Sequence, residues 1–253
     1  MHLEKALLRK VGDAIKRFGM IREGDRIAVG ISGGKDSIAL MQALMLLHRR
    51  SPVRFSLCAF TIEQGKFVRP VQPVGEFLRA RGIEWVHYND NASIRLIDEK
   101  PGHGCDLCSR YRRRAVYEVA RGLGANTIAL GHTADDFCES LLRNAMYNGR
   151  ISALPAVTRS RKDDVRIIRP LVYVSEEITR AYAESLGVPI VPCVCSFKTG
   201  TVRRSIREIM DEPGVKASLL AAIGNIDTAR LLDTRYFDVD KATDEPVPEL
   251  VQL

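Results

Sequence analysis

Ser32-Gly33-Gly34-Lys35-Asp36-Ser37 is the stretch on which the reading of the fold turns. It follows Arg26–Ile31, a short, β-branched apolar run, and leads into Ile38–Leu47, a longer run rich in Leu, Met and Ala. The first reads as a buried parallel strand and the second as a helix packed on a sheet. Two glycines between them let the backbone pass close to a ligand, with the free N–H groups of the helix start pointing outward. That geometry binds anions, phosphate above all. A ligand-free glycine turn would explain Gly-Gly alone. It does not explain why Ser, Lys, Asp and Ser crowd an apolar strand–helix junction that has no packing use for them.

The stretch is not a Walker A loop, because Gly-x-x-x-x-Gly-Lys-Ser/Thr is absent. It resembles the PP-loop of the ATP pyrophosphatase superfamily, complete from Ser32 to Ser37. The resemblance implies an adenine-nucleotide alpha-hydrolase-like fold and a chemistry in which ATP adenylates a substrate oxygen and pyrophosphate leaves. It leaves the substrate open.

Across 253 residues, 45% hydrophobic and 27% charged, the chain can bury a substantial α/β core. No apolar run approaches the roughly 20 residues of a membrane span, so no membrane partner is expected. The first residues lack the apolar core of a signal peptide, and a cytoplasmic location is the expectation. A formal net charge of +7 favours a polyanionic partner. Six cysteines in such a chain suggest metal or redox chemistry before disulfides.

Residues 3–18 place Leu3, Leu7, Ala14, Ile15 and Phe18 at helical spacing, with Lys5, Arg9, Lys10, Lys16 and Arg17 on the other faces. That basic face is either a solvated surface or a nucleic-acid contact. Strands are expected at Arg54–Ile62, Glu84–Tyr88, Thr127–Gly131 and Val188–Val191, with helices near Val74–Arg81, Arg110–Leu123 and Ala134–Tyr147. Val165–Leu171 and Glu176–Leu186 continue the alternation, and helices follow at Val202–Met210 and Val215–Leu232. The pattern predicts a doubly wound, mostly parallel sheet with a helical C-terminal extension and ligands at the carboxyl ends of the strands. The expected division is an N-terminal helix over 1–24, a PP-loop domain over 25–196, a helical extension over 197–235 and a disordered tail over 236–253.

Three further clusters carry chemistry. Cys105-Asp-Leu-Cys108 opens a helix, and Cys193-Val-Cys195 follows an expected strand. Loops at the carboxyl edge of one sheet could bring these thiolates together around zinc or an iron–sulfur cluster. Cys58 and Cys138 read as ordinary buried thiols. Directly after Cys108, Arg110, Arg112, Arg113 and Arg114 offer guanidinium groups to a triphosphate or an RNA backbone, though one helix face cannot present them all. Gly131-His132-Thr-Ala-Asp135-Asp136 ends a strand and starts a helix. Its carboxylates either complement the macrodipole or hold Mg²⁺, and His132 is either a structural histidine or part of the site.

In order, Ser32–Ser37, Cys105–Arg110, Gly131–Asp136, Ile168–Leu171 and Pro192-Cys193 resemble the TtcA family of tRNA 2-thiocytidine synthetases over roughly residues 5–210. The resemblance implies that ATP adenylates the C2 oxygen of an anticodon-loop cytidine, which sulfur then replaces. It implies a four-iron, four-sulfur (4Fe-4S) cluster on Cys105, Cys108 and Cys193, with one iron open for sulfur. The family's Pro-Cys-x-x-Cys stands here as Pro192-Cys-Val-Cys195, one residue shorter, so Cys195 is not carried into that set. Ser32, Gly33, Gly34, Lys35, Asp36 and Ser37 would bind the nucleotide with Gly131, His132 and Arg112. Lys35, Asp36, Asp135 and Asp136 would serve catalysis, the carboxylates through Mg²⁺. The partners expected are tRNA and a sulfur donor such as a cysteine desulfurase, with a homodimer left open. Two rivals stand beside this reading. One keeps the chemistry but acts on another tRNA base or a small molecule, and the other is a non-enzymatic ATP-binding iron–sulfur sensor or adaptor.

Overall fold

The structure, a computed structural model, describes residues 2–65, 67–99, 105–160, 164–188, 190–191, 201–233 and 235, the side chains of 92, 97, 98, 105–108, 201 and 229 excepted. Its elements in order are α1 (His2–Arg17), β1 (Asp25–Gly30), α2 (Lys35–His48), β2 (Phe55–Glu63), α3 (Gln72–Arg79), β3 (Glu84–Asn89), α4 (Asn91–Asp98) and α5 (Cys105–Gly122). There follow β4 (Thr127–Ala129), α6 (Ala134–Tyr147), β5 (Val157–Arg159), β6 (Arg166–Ile168), α7 (Glu176–Ser185), α8 (Thr201–Met210) and α9 (Val215–Ile223).

The sheet order is β3-β2-β1-β4-β6-β5, parallel throughout except for the antiparallel β5–β6 pair at one edge. Successive strand residues face opposite layers. Ile27, Val29, Ala59, Ala129 and Ile168 pack with α1, α2, α3 and α7. Ala28, Cys58, Phe60, Ile128 and Ile167 pack with Val116, Val119 and Ala120 of α5 and with Leu123 just after it. Burying both faces is why these strands read as continuous apolar runs and not as alternating ones. A buried ion pair, Arg166 Nη2 to Asp25 Oδ2 at 2.5 Å, ties the start of β6 to the start of β1, and Arg166 also donates to Thr127 Oγ1 and the Met20 carbonyl. Removing the guanidinium would strand a buried carboxylate at a cost of about 3–5 kcal/mol.

From β1 the chain runs outward through β2 and β3, then returns to place β4 on the other side of β1. The reversal opens a crevice between the carboxyl ends of β1 and β4, where doubly wound sheets bind ligands. The PP-loop leaves one of these strands and Gly131-His132 leaves the other.

Several expectations change. Val188, Ile190 and Val191 form no strand; the Val191 N–H instead donates to the Gly33 carbonyl at 2.9 Å. The helix expected over Val215–Leu232 stops at Ile223, where Gly224 ends it, and a single 3-10 turn occupies Thr228–Arg230. Phe18, expected on the buried face of α1, is 38% exposed, while Val11 is fully buried. Two elements were not expected: α4, and the edge strand β5, three residues long and too exposed to show an apolar pattern. The segment 236–253 lies outside the described residues.

Candidate active site

The PP-loop turn is closed by its own serines. Ser37 Oγ donates to the Gly34 carbonyl at 2.8 Å and accepts the Ser32 N–H at 3.2 Å. Gly33 adopts φ +75°, a conformation L side chains rarely take, and a Cβ there would stand 2.8 Å from the Val191 carbonyl oxygen. Gly34 has an ordinary φ of −81° as N-cap of α2, and no side chain caps that helix. The first-turn N–H groups are therefore left for an anion.

Across the crevice, Gly131 is pressed against this turn. A Cβ on Gly131 would lie 3.1 Å from the Asp36 carbonyl carbon and 3.1 Å from the Ser37 nitrogen, so glycine sets how closely β4 and α2 approach. Together they open a cavity of about 920 Å³, lined by Ser32, Lys35, Asp36, Ser37, Arg112, Gly131, His132 and Asp136 among others. Gly33, Gly34 and Asp135 do not line it.

Lys35 Nζ lies 3.0 Å from Asp36 Oδ2 and 3.3 Å from Glu176 Oε2. Asp36 Oδ1 accepts the Thr179 hydroxyl at 2.5 Å. Glu176 is further shared with Arg207, whose Nη2 is 3.1 Å away, and Arg207 and Arg203 both reach Glu139. The start of α7 is thus fastened both to the PP-loop and to α8. Burial pushes the Glu176 carboxyl up, and the Lys35 and Arg207 charges and hydrogen bonds more than offset this, holding it below the usual range.

The two aspartates of α6 do not act as a pair. Asp136 lines the cavity and accepts the Thr133 N–H at 2.8 Å, capping the helix. Asp135 is buried, accepting the Glu176 N–H at 2.8 Å and pairing with Lys216 at 2.9 Å. It joins α6, α7 and α9, so the expected carboxylate pair at the cavity becomes Asp36 with Asp136. The Nδ1 of His132 is buried with no partner. Burial, and then the neighbouring Arg169 charge, lower its pKa against the pull of Asp136, so the ring at the cavity wall is neutral near pH 7.

Of the arginine run only Arg112 lines the cavity, its Nε 3.2 Å from Gln64 Oε1, while Arg114 is spent on Glu118 at 2.8 Å. Cys105 and Cys108 stand three residues apart in the first turn of α5, though their side chains, like Cys193 and Cys195, lie outside the described residues. Cys58 and Cys138 are buried thiols. Burial raises both pKa values, that of Cys138 to about 11 with help from Asp135, so neither offers a thiolate to a metal near neutral pH.

Glu176, the α8 residues Arg203, Arg204, Arg207 and Glu208, and Asp211 just past the end of α8 also line the cavity and were not anticipated. The signal was present. These positions form one charged stripe flanked by the buried Ile206 and Met210.

The Ser32–Ser37 turn, between a parallel strand and an uncapped helix at the reversal of a doubly wound sheet, has the form of an ATP-binding PP-loop. The family described as "PP-loop domain" matches residues 3–213, and the chain belongs to it. Its relatives narrow this further. It is 39% identical over 240 residues to the tRNA-cytidine(32) 2-sulfurtransferase of Anaeromyxobacter dehalogenans, covering 91% of this chain and 82% of the relative. It is 39% identical over 241 residues to the enzyme of the same name from Pelobacter propionicus, covering 91% and 89%. The chain is a member of the tRNA-cytidine(32) 2-sulfurtransferase family. Among solved structures, the U34-tRNA thiolase NcsA from Methanococcus maripaludis, determined with its [4Fe-4S] cluster, shares the fold. Its TM-score is 0.72 at 20% identity, covering 89% of this chain and 80% of that one.

Proposed function

We propose that this chain is an ATP-dependent sulfurtransferase that replaces the C2 oxygen of a tRNA anticodon-loop cytidine with sulfur. The observation that carries the reading is the cavity where the PP-loop, Gly131-His132 and Asp136 meet, in a chain whose relatives are named for tRNA cytidine. The free N–H groups of α2 receive phosphate, and Lys35 neutralises it. The cytidine C2 oxygen attacks the α-phosphorus of ATP and pyrophosphate leaves. A sulfur nucleophile then adds at C2, and AMP departs with the original oxygen. Adenylation matters because a phosphate ester leaves far more readily than an oxide. The neutral His132 can hold a hydrogen bond to the base or the nucleotide at the cavity wall.

Asp36 and Asp136, both facing the cavity, suit Mg²⁺. Cys105, Cys108 and Cys193 would hold the 4Fe-4S cluster, the group that supplies sulfur-carrying chemistry; the protonated thiols of Cys58 and Cys138 do not fit it. A cysteine desulfurase is the proposed class of sulfur donor, a homodimer the proposed assembly and the cytoplasm the proposed location. Among the described residues no helix is long and apolar enough to cross a membrane. Product analysis tests the chemistry. With tRNA present, the protein should convert ATP to AMP and pyrophosphate, and release of ADP and phosphate would contradict the proposal.

A further inference from the structure

α1 buries Leu7, Val11 and Ala14 against the sheet layer and turns a second face outward. On that face Arg9, Lys10, Asp13, Lys16 and Arg17 recur at i, i+1, i+4, i+7 and i+8, a single stripe. The stripe is one wall of a groove of about 660 Å³, separate from the active-site cavity, whose other side is Tyr173 and Leu220. Among the described residues none of its four cations has an ion-pair partner, with Asp13 the lone acid beside them. Some exposed cations elsewhere do find carboxylates, as in Arg114–Glu118 and Lys216–Glu177. Phe18, at the end of α1 and 38% exposed, stacks on Tyr173 with centroids 6.1 Å apart and planes at 29°.

A line of cations with no carboxylate partner among the described residues, beside partly bare aromatic rings, matches a ligand with regularly spaced negative charge and flat faces. A nucleic acid strand has both. A membrane surface would need an exposed apolar face, and the apolar face of α1 is already buried. The groove is also joined to the active site. Tyr173 lies three residues before Glu176, and the Val174 carbonyl accepts the Ala134 N–H at 2.9 Å, at the start of α6 beside His132 and Asp136.

We propose that this groove is a second RNA-contact surface, which holds the phosphodiester backbone of the tRNA substrate away from the reacting base. The proposal rests on the tRNA reading above. The test is tRNA binding by the full chain, followed by fluorescence anisotropy between about 50 and 200 mM salt. The triple variant Arg9→Ala/Lys16→Ala/Arg17→Ala should flatten the slope of log K against log salt by about two to three, and lower affinity tenfold or more. Tyr173→Ala should lose about tenfold in affinity with the slope unchanged, as expected for a stacking contact. In both, the KM for tRNA should rise while kcat at saturating tRNA stays at the wild-type value. Wild-type affinity and slope in the triple variant would overturn the proposal. So would a changed oligomeric state with unchanged tRNA binding, which would make the groove a contact between copies. Failure of the wild-type chain to bind tRNA at all would instead remove the tRNA reading, and the groove with it.

Discussion

Glu176→Gln removes one charge and no volume from the junction of the PP-loop with α7 and α8. The carboxylate stands 3.3 Å from Lys35 Nζ and 3.1 Å from Arg207 Nη2, so each attraction is about 5 kcal/mol gross at an effective dielectric near 20. Desolvation of the carboxylate opposes this. The Arg207 side chain is 45% exposed, so solvent screens its share, and the net loss should be about 2 kcal/mol. For a chain of this size that lowers Tm by about 4–8 °C. The loss should depend on pH. Glu176 titrates below the usual carboxylate range, so its stabilisation is complete above that range and fades as pH falls through the lowered value. The gap between wild type and variant should therefore close in acid. Catalysis should suffer in kcat and not in ATP affinity. Lys35 keeps Asp36 but loses the charged acceptor on the α7 side that fixes its direction, a misplacement worth about tenfold, while the cavity becomes no less positive. Thermal melts at several pH values and steady-state kinetics in ATP check both parts. An unchanged Tm at neutral pH, or a raised KM with full kcat, would refute the idea that Glu176 holds Lys35 in place.

Gly131→Ala puts a methyl 3.1 Å from two main-chain atoms of the PP-loop helix, so the loop must retreat. ATP turnover should fall about tenfold for a stability loss of about 1–3 kcal/mol, and wild-type turnover would contradict the close approach. Asp36→Ala should abolish AMP formation while far-UV circular dichroism stays native, and retained turnover would take Asp36 out of the site. Protein purified anaerobically should be brown. Cys105→Ala, Cys108→Ala and Cys193→Ala should each lose the colour, whereas Cys58→Ala, Cys138→Ala and Cys195→Ser keep it; one zinc per chain without sulfide would contradict the cluster.

The sheet was legible because its strands are buried on both faces and punctuated by glycine, which leaves short apolar runs in the sequence. The PP-loop was legible because its polar residues have no packing role. What escaped depends on distance. Glu176 looks like any first-turn acid of an amphipathic helix, and only the fold brings it to Lys35, 141 positions earlier. Asp135 and Asp136 are adjacent in sequence, yet successive helix positions point about 100° apart, so one enters the cavity and the other meets Lys216. Val188–Val191 has the composition of a strand, but the Val191 N–H is taken by the Gly33 carbonyl and not by a neighbouring strand. The long apolar run after Val215 hid the stop at Gly224.

The most direct test of the central claim is mass spectrometry of nucleosides from tRNA incubated with the anaerobically purified protein, ATP, Mg²⁺ and a sulfide source. The account predicts 2-thiocytidine that appears only when ATP is present and is missing with Asp36→Ala. Cleavage of ATP to AMP and pyrophosphate with no sulfur in any cytidine, or with sulfur in a different base, would contradict it.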